Sequence, residues 1–106
     1  MNNKQSMSVE EYQALRQSNI EHLLIDVREQ HEYDESAIEG SILIPLDTLH
    51  ENIHRLDKHK VIVMQCRSGR RSASAQEYLL EQGFTKVFNL EGGILAWDAM
   101  QTASGL

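Results

Sequence analysis

Four short apolar runs, at residues 23–27, 42–44, 61–64 and 87–90, constrain the fold more than any other feature of the chain. Each is too short for a self-supporting helix and has the continuous apolar character of a strand buried on both faces. Between them the spacing changes to helical. Ser8 and Glu11 have capping-box spacing, and Val9, Tyr12 and Leu15 follow at helical intervals to a stop at Ser18 and Asn19. Leu46, Leu49, Ile53 and Leu56 form a second stripe with Asp47 as its cap. Ser72, Ala75 and Leu79 form a third, which Gly83 ends in the left-handed conformation, and Ile94 and Trp97 begin a last short helix. Strands alternating with helices predict an α/β fold: a central, mostly parallel sheet with right-handed crossovers and helices on both faces.

A chain of 106 residues has room for one such unit, so a single domain over 1–106 is expected, with its core at about 7–100 and short frayed termini. The 41% apolar and 25% charged residues are those of a folding chain. The net charge of -6 disfavours nucleic acid and anionic membrane as partners, and no apolar run approaches the roughly 20 residues of a membrane span. The N-terminal stretch lacks a basic segment followed by an apolar core, which makes the cytoplasm the expected compartment. Cys66 is the only cysteine, which leaves no internal disulfide, CxxC pair or multi-thiolate metal site.

The segment VIVMQCRSGRRSASAQEYLL reads as buried strand, loop, then helix, with Cys66 at the strand end. In parallel sheets ligands collect there, where helix N-termini present unpaired N–H groups and partial positive charge. Those groups and the neighbouring Arg67, Arg70 and Arg71 favour a thiolate over the thiol. Gly69 lets the loop curl so that successive N–H groups face the sulfur, Ser68 lies in the same turn, and Ser72 suits the cap of the following helix. Arg71 stands at the far end, where its fork suits a sulfonate held in two parallel hydrogen bonds, with Arg67 and Arg70 at the rim.

With the loop CRSGRRS in view, the chain resembles a single-domain rhodanese-like sulfurtransferase over nearly its whole length. LLIDVREQHEY resembles the family's first long strand and its Asp-Val-Arg signature, SAIEGSILIP the next segment, and LEGGILAW the C-terminal signature. Ser36 and Ala37 stand where many members carry Gly-His. The resemblance implies a rhodanese-like three-layer fold and thiosulfate sulfurtransferase-type activity. In it the Cys66 thiolate takes the sulfane sulfur of a small anionic donor such as thiosulfate, sulfite leaves, and a persulfide passes its sulfur to cyanide, a thiol or thioredoxin. Residues Arg67 to Ser72 bind the substrate, and no metal or organic cofactor is needed.

Two other readings share these residues. Cysteine phosphatases and arsenate reductases also use a strand, a loop with cysteine and arginine, and a helix. Their loops, however, place five residues between cysteine and arginine, where this chain has Arg67, Ser68, Gly69 and Arg70. One residue fewer shrinks a crude ring by roughly 0.5 Å in radius, which suits one extra sulfur atom better than a phosphate. The third reading is a sulfur-carrier or binding module that serves a protein partner.

Elsewhere the sequence favours structural roles. Asp26 and Arg28 are expected to form an internal ion pair, because buried charges need partners. His50 and His54, spaced i, i+4 but without further ligands, read as solvated, and Trp97 reads as core or edge packing. Glu29, Glu32, Asp34, Glu35 and Glu39 read as a solvated acidic face.

Overall fold

A computed structural model describes residues 5–104. It forms five strands, β1 (Ser6–Met7), β2 (His22–Asp26), β3 (Ile42–Leu43), β4 (Val61–Gln65) and β5 (Val87–Leu90), in the order β1-β5-β4-β2-β3 with every pairing parallel. The helices are α1 (Val9–Gln17), α2 (Gln30–Glu35), α3 (Leu49–Asn52), α4 (Arg70–Glu81) and α5 (Gly93–Ser104). The expected α/β architecture is therefore present. The frayed termini expected from the sequence fall largely outside the described residues.

The alternation along β2 and β4 explains the layering, since successive strand residues face opposite sides of the sheet. Ile25, Ile62 and Met64 join Leu49, Ala75 and Leu79 in one buried cluster, which places α3 and α4 on that face. Leu24 and Val63 join Val9, Tyr12, Ile94 and Trp97 in another, which places α1 and α5 opposite. Gln76 on α4, almost fully buried, donates to Val87 O at 3.0 Å and to Gln5 O, tying the helix to the strands beside it.

Local signals decide most boundaries. Around α1 the capping box is complete, with Glu11 N donating to Ser8 Oγ at 3.0 Å and Ser8 N to Glu11 Oε1 at 2.8 Å. Gly83 follows α4 at φ +95°, as its position predicts. The second stripe is not one helix capped by Asp47. Pro45 leads into a 3₁₀ turn at Leu46–Thr48, Asp47 lies within that turn, α3 lasts four residues, and a second 3₁₀ turn covers Ile53–Arg55. Two elements lie beyond the sequence expectation, the edge strand β1 and the short helix α2.

The predicted ion pair is buried: Arg28 Nη2 donates to Asp26 Oδ2 at 2.8 Å and Arg28 N to Asp26 Oδ1 at 2.9 Å. Burial alone would lower the Arg28 pKa, but its hydrogen bonds to Asp26 raise it. The same guanidinium donates to Ser36 O at 2.7 Å, which fixes the far end of α2. Thus the Asp-Val-Arg segment positions α2, and with it Glu32. Ser36 takes part through its backbone carbonyl, a role that any side chain at that position allows.

Candidate functional site

Cys66 follows the last residue of β4, and its side chain has no exposed surface. The backbone then turns over it through Arg67, Ser68 and Gly69 into α4. Gly69 is the N-cap at φ +105°, a conformation that glycine adopts without strain. Its N–H donates to Cys66 Sγ at 3.1 Å, and the N–H of Ser72 donates to the same atom at 3.4 Å. The Ser72 hydroxyl lies 3.4 Å from Sγ. Ser72 is therefore not the cap: the helix begins at Arg70, which places Ser72 in its first turn with its side chain against the sulfur.

Burial pushes the Cys66 thiol up, but hydrogen bonds from Ser72 and from the Gly69 and Ser68 N–H groups outweigh it, leaving the thiol below its ordinary value. The sulfur is thus ringed mainly by backbone donors and shielded from bulk water, an arrangement that favours the thiolate.

The loop is held open by α5. Its first N–H groups have no partners within the helix, and two of them find loop carbonyls: Ile94 N donates to Cys66 O at 2.9 Å and Leu95 N to Arg67 O at 3.2 Å. Because a trans peptide directs its C=O and N–H in opposite directions, carbonyls drawn to α5 turn the Arg67 and Ser68 N–H groups away from it, and that of Ser68 reaches the sulfur side. This approach requires glycine at residue 93. A Cβ there would lie 2.4 Å from both Cys66 O and Arg67 O, at φ +59°. Gln65, fully buried beside the cysteine, also donates from Nε2 to Cys66 O at 3.0 Å.

The arginines divide. Arg71 directs its fork at Glu32 on α2, with Nη1–Oε1 at 2.8 Å and Nη2–Oε2 at 2.9 Å. The two parallel bonds expected for a sulfonate are thus occupied by a carboxylate of the same chain. That carboxylate also accepts from Glu29 N at 2.9 Å, and the Arg71 guanidinium beside it holds the Glu32 carboxyl down at about 2. Glu32 therefore leaves the solvated acidic face expected from the sequence. A cleft of about 70 Å³ beside the loop is lined by Val27, Glu29, Pro45, Leu46, Asp47 and Arg71. Arg67 and Arg70 are exposed, and neither has an ion-pair partner among the described residues.

Sequence reasoning missed Asn89, on β5, whose side chain bridges Ser72 and Gly69. A polar residue inside an apolar strand was the available signal. His50 and His54 are exposed, Trp97 is core, and no three His, Cys, Asp or Glu side chains form a metal-holding group among the described residues. Nor is any helix among them long and apolar enough to cross a membrane.

The rhodanese-like domain family model matches residues 8–100. The YtwF protein of Bacillus subtilis is 47% identical over 75 residues, covering 71% of this chain and 72% of that one. A sulfurtransferase of Allochromatium vinosum is 37% identical over 75 residues, covering 71% and 70%. A tRNA uridine(34) hydroxylase of Yersinia enterocolitica is 37% identical over 90 residues, covering 79% of this chain but 26% of its own length. Among solved structures, a rhodanese-like domain protein from Staphylococcus aureus superimposes with a TM-score of 0.83 at 31% identity, covering 88% of this chain and 90% of its own.

Proposed function

This chain belongs to the rhodanese-like domain family, and from that premise we propose that it is a sulfurtransferase whose Cys66 carries a sulfane sulfur as a persulfide. The observation that carries the reading is the convergence of backbone donors on one buried sulfur, with Gly69 N at 3.1 Å and Ser72 N at 3.4 Å. Neutral donors fixed in place stabilise an anion without reorganising, the logic of an oxyanion hole.

In this reading the Cys66 thiolate attacks the outer sulfur of a donor such as thiosulfate. A bond forms between the two sulfurs, the donor's S–S bond breaks, and sulfite leaves with the electron pair. A thiol, cyanide or a thioredoxin-type dithiol then attacks the outer sulfur and Cys66 leaves as thiolate. The N–H groups between Arg67 and Ser72 hold the anionic persulfide, and exposed Arg67 and Arg70 draw in the anion. Neither a metal nor an organic cofactor takes part, and we place the protein in the cytoplasm as one domain with its core at 7–100.

The short loop favours sulfur over phosphoryl transfer, because its N–H groups already close on Sγ itself. The Arg71–Glu32 pair gives weight to a second reading, a carrier loaded by a protein partner, since it removes one cation from small-anion capture.

Intact-mass measurement after addition of thiosulfate or another sulfane donor tests the proposal. Wild type should gain one sulfur atom and lose it to an acceptor, and Cys66→Ser should gain none. Equal gain by the mutant, or phosphatase turnover with no persulfide, overturns the reading.

A further inference from the structure

Ser72 has one hydroxyl proton and two neighbours for it. Its Oγ lies 2.6 Å from Asn89 Oδ1 and 3.4 Å from Cys66 Sγ. The Asn89 amide orientation is settled by its other end, where Nδ2 donates to Gly69 O at 3.1 Å. Oδ1 therefore faces Ser72, and as a carbonyl oxygen it only accepts. At 2.6 Å the proton lies between the two oxygens. The hydroxyl then presents a lone pair to the sulfur, an arrangement that suits a thiol S–H as donor and gives nothing to a thiolate.

We propose that Asn89 is a positioning residue for the cysteine: by holding the Ser72 hydroxyl proton on its own Oδ1, it withholds that donor from Sγ and leaves the thiolate to the backbone N–H groups. Resting on the sulfurtransferase reading, this gives Asn89 a part in both half-reactions. A thiolate with fewer donors is a stronger nucleophile toward the sulfur donor and a poorer leaving group when the acceptor takes the sulfur. Asn89 thus favours loading over release.

Charged groups around the sulfur are not altered by changing Asn89. They are Arg67 in the loop, Arg70 and Arg71 on α4, Glu32 on α2 and the Asp26–Arg28 pair after β2. Strand β5 carries none, Glu91 in the turn after it accepts from the Ser6 hydroxyl at 2.7 Å, and α5 carries none before Asp98.

The test is the pH dependence of Cys66 alkylation by iodoacetamide, followed by intact mass, with one cysteine to read. Asn89→Ala should move the midpoint down by about half a unit, which is roughly threefold more thiolate at a pH below it. Asn89→Leu, which keeps the branched four-atom outline without the amide, should do the same and serves if the alanine variant does not fold. In a Ser72→Ala background neither change should move the midpoint. An unchanged or raised midpoint, or an equal shift without the Ser72 hydroxyl, overturns the proposal. Alkylation needs no sulfur transfer, so its outcome stands apart from the persulfide mass experiment, whose failure would count against the function alone.

Discussion

The two sides of the cysteine loop handle charge in different ways. On the sulfur side an anion is met by neutral backbone donors fixed by α4, α5 and Asn89. On the arginine side a full cation is met by a full anion of the same chain. In the proposed reading the difference separates two tasks that the sequence places side by side: holding charge on Cys66 is built into the backbone, whereas attracting charge from solution falls to Arg67 and Arg70. If so, distorting the backbone should do most damage, and altering the arginine side should do less and in a direction set by net charge.

The largest effect is expected from Gly93→Ala. Its methyl would meet Cys66 O and Arg67 O at 2.4 Å, backbone atoms that cannot swing aside as a side chain would. Relieving that contact must displace the loop or the start of α5. We expect a loss of about 3 kcal/mol in denaturant unfolding, from the clash and the positive φ together. Persulfide loading should fall more than tenfold in whatever fraction remains folded. Native stability with normal loading would show that the sulfur site does not depend on this close approach.

Arg71→Ala comes next. It leaves Glu32, a half-buried carboxylate beside the loop, without its bidentate cation. Coulomb repulsion should then weaken thiosulfate loading by about tenfold, or about 1.4 kcal/mol. The decisive comparison is the double variant Arg71→Ala with Glu32→Gln, which removes the anion as well and should recover most of the loss in loading kinetics. No recovery would mean that Arg71 holds the donor directly and that the Glu32 contact gives way on binding.

Much of this molecule was legible in its sequence, and the gaps have a common cause. Strands β2 to β5 announced themselves because an apolar run is a local signal, and α1 because Ser8 and Glu11 are three residues apart. Strand β1 is two residues long and exists through pairing with Asn89 and Leu90, far away in the chain. Helix α2, with sequence QHEYDE, has no apolar stripe, and its far end is held by Arg28 through Ser36 O. Ser72 looked like a cap because its residue type suits one, but Gly69, in the left-handed conformation, starts the helix earlier. The candidate cysteine loop was visible because its groups are contiguous. The partner that occupies Arg71 was not, because 39 residues separate it from Glu32 and only the placement of α2 joins them.

Glu32→Gln is the gentlest probe and sets two readouts against each other. Freed from its anion, Arg71 should raise the rate of thiosulfate loading about threefold, and more at low salt, as expected for steering by an unscreened charge. Stability should move the other way. Glu32 is held at about 2 in the folded protein, below the ordinary carboxylate value of 4.5. A carboxyl lowered by folding stabilises the protein above its unfolded pKa, and that contribution disappears as pH falls toward the folded value. Wild type should therefore exceed the glutamine variant by about 1 kcal/mol at pH 7, a figure limited by the pair's partial exposure. The gap should close between pH 5 and pH 2 in acid-unfolding curves. Faster loading with lower stability at neutral pH would show that the arginine side gives up donor capture for a pair that anchors α2 to α4; slower loading would place Glu32 in the donor site itself.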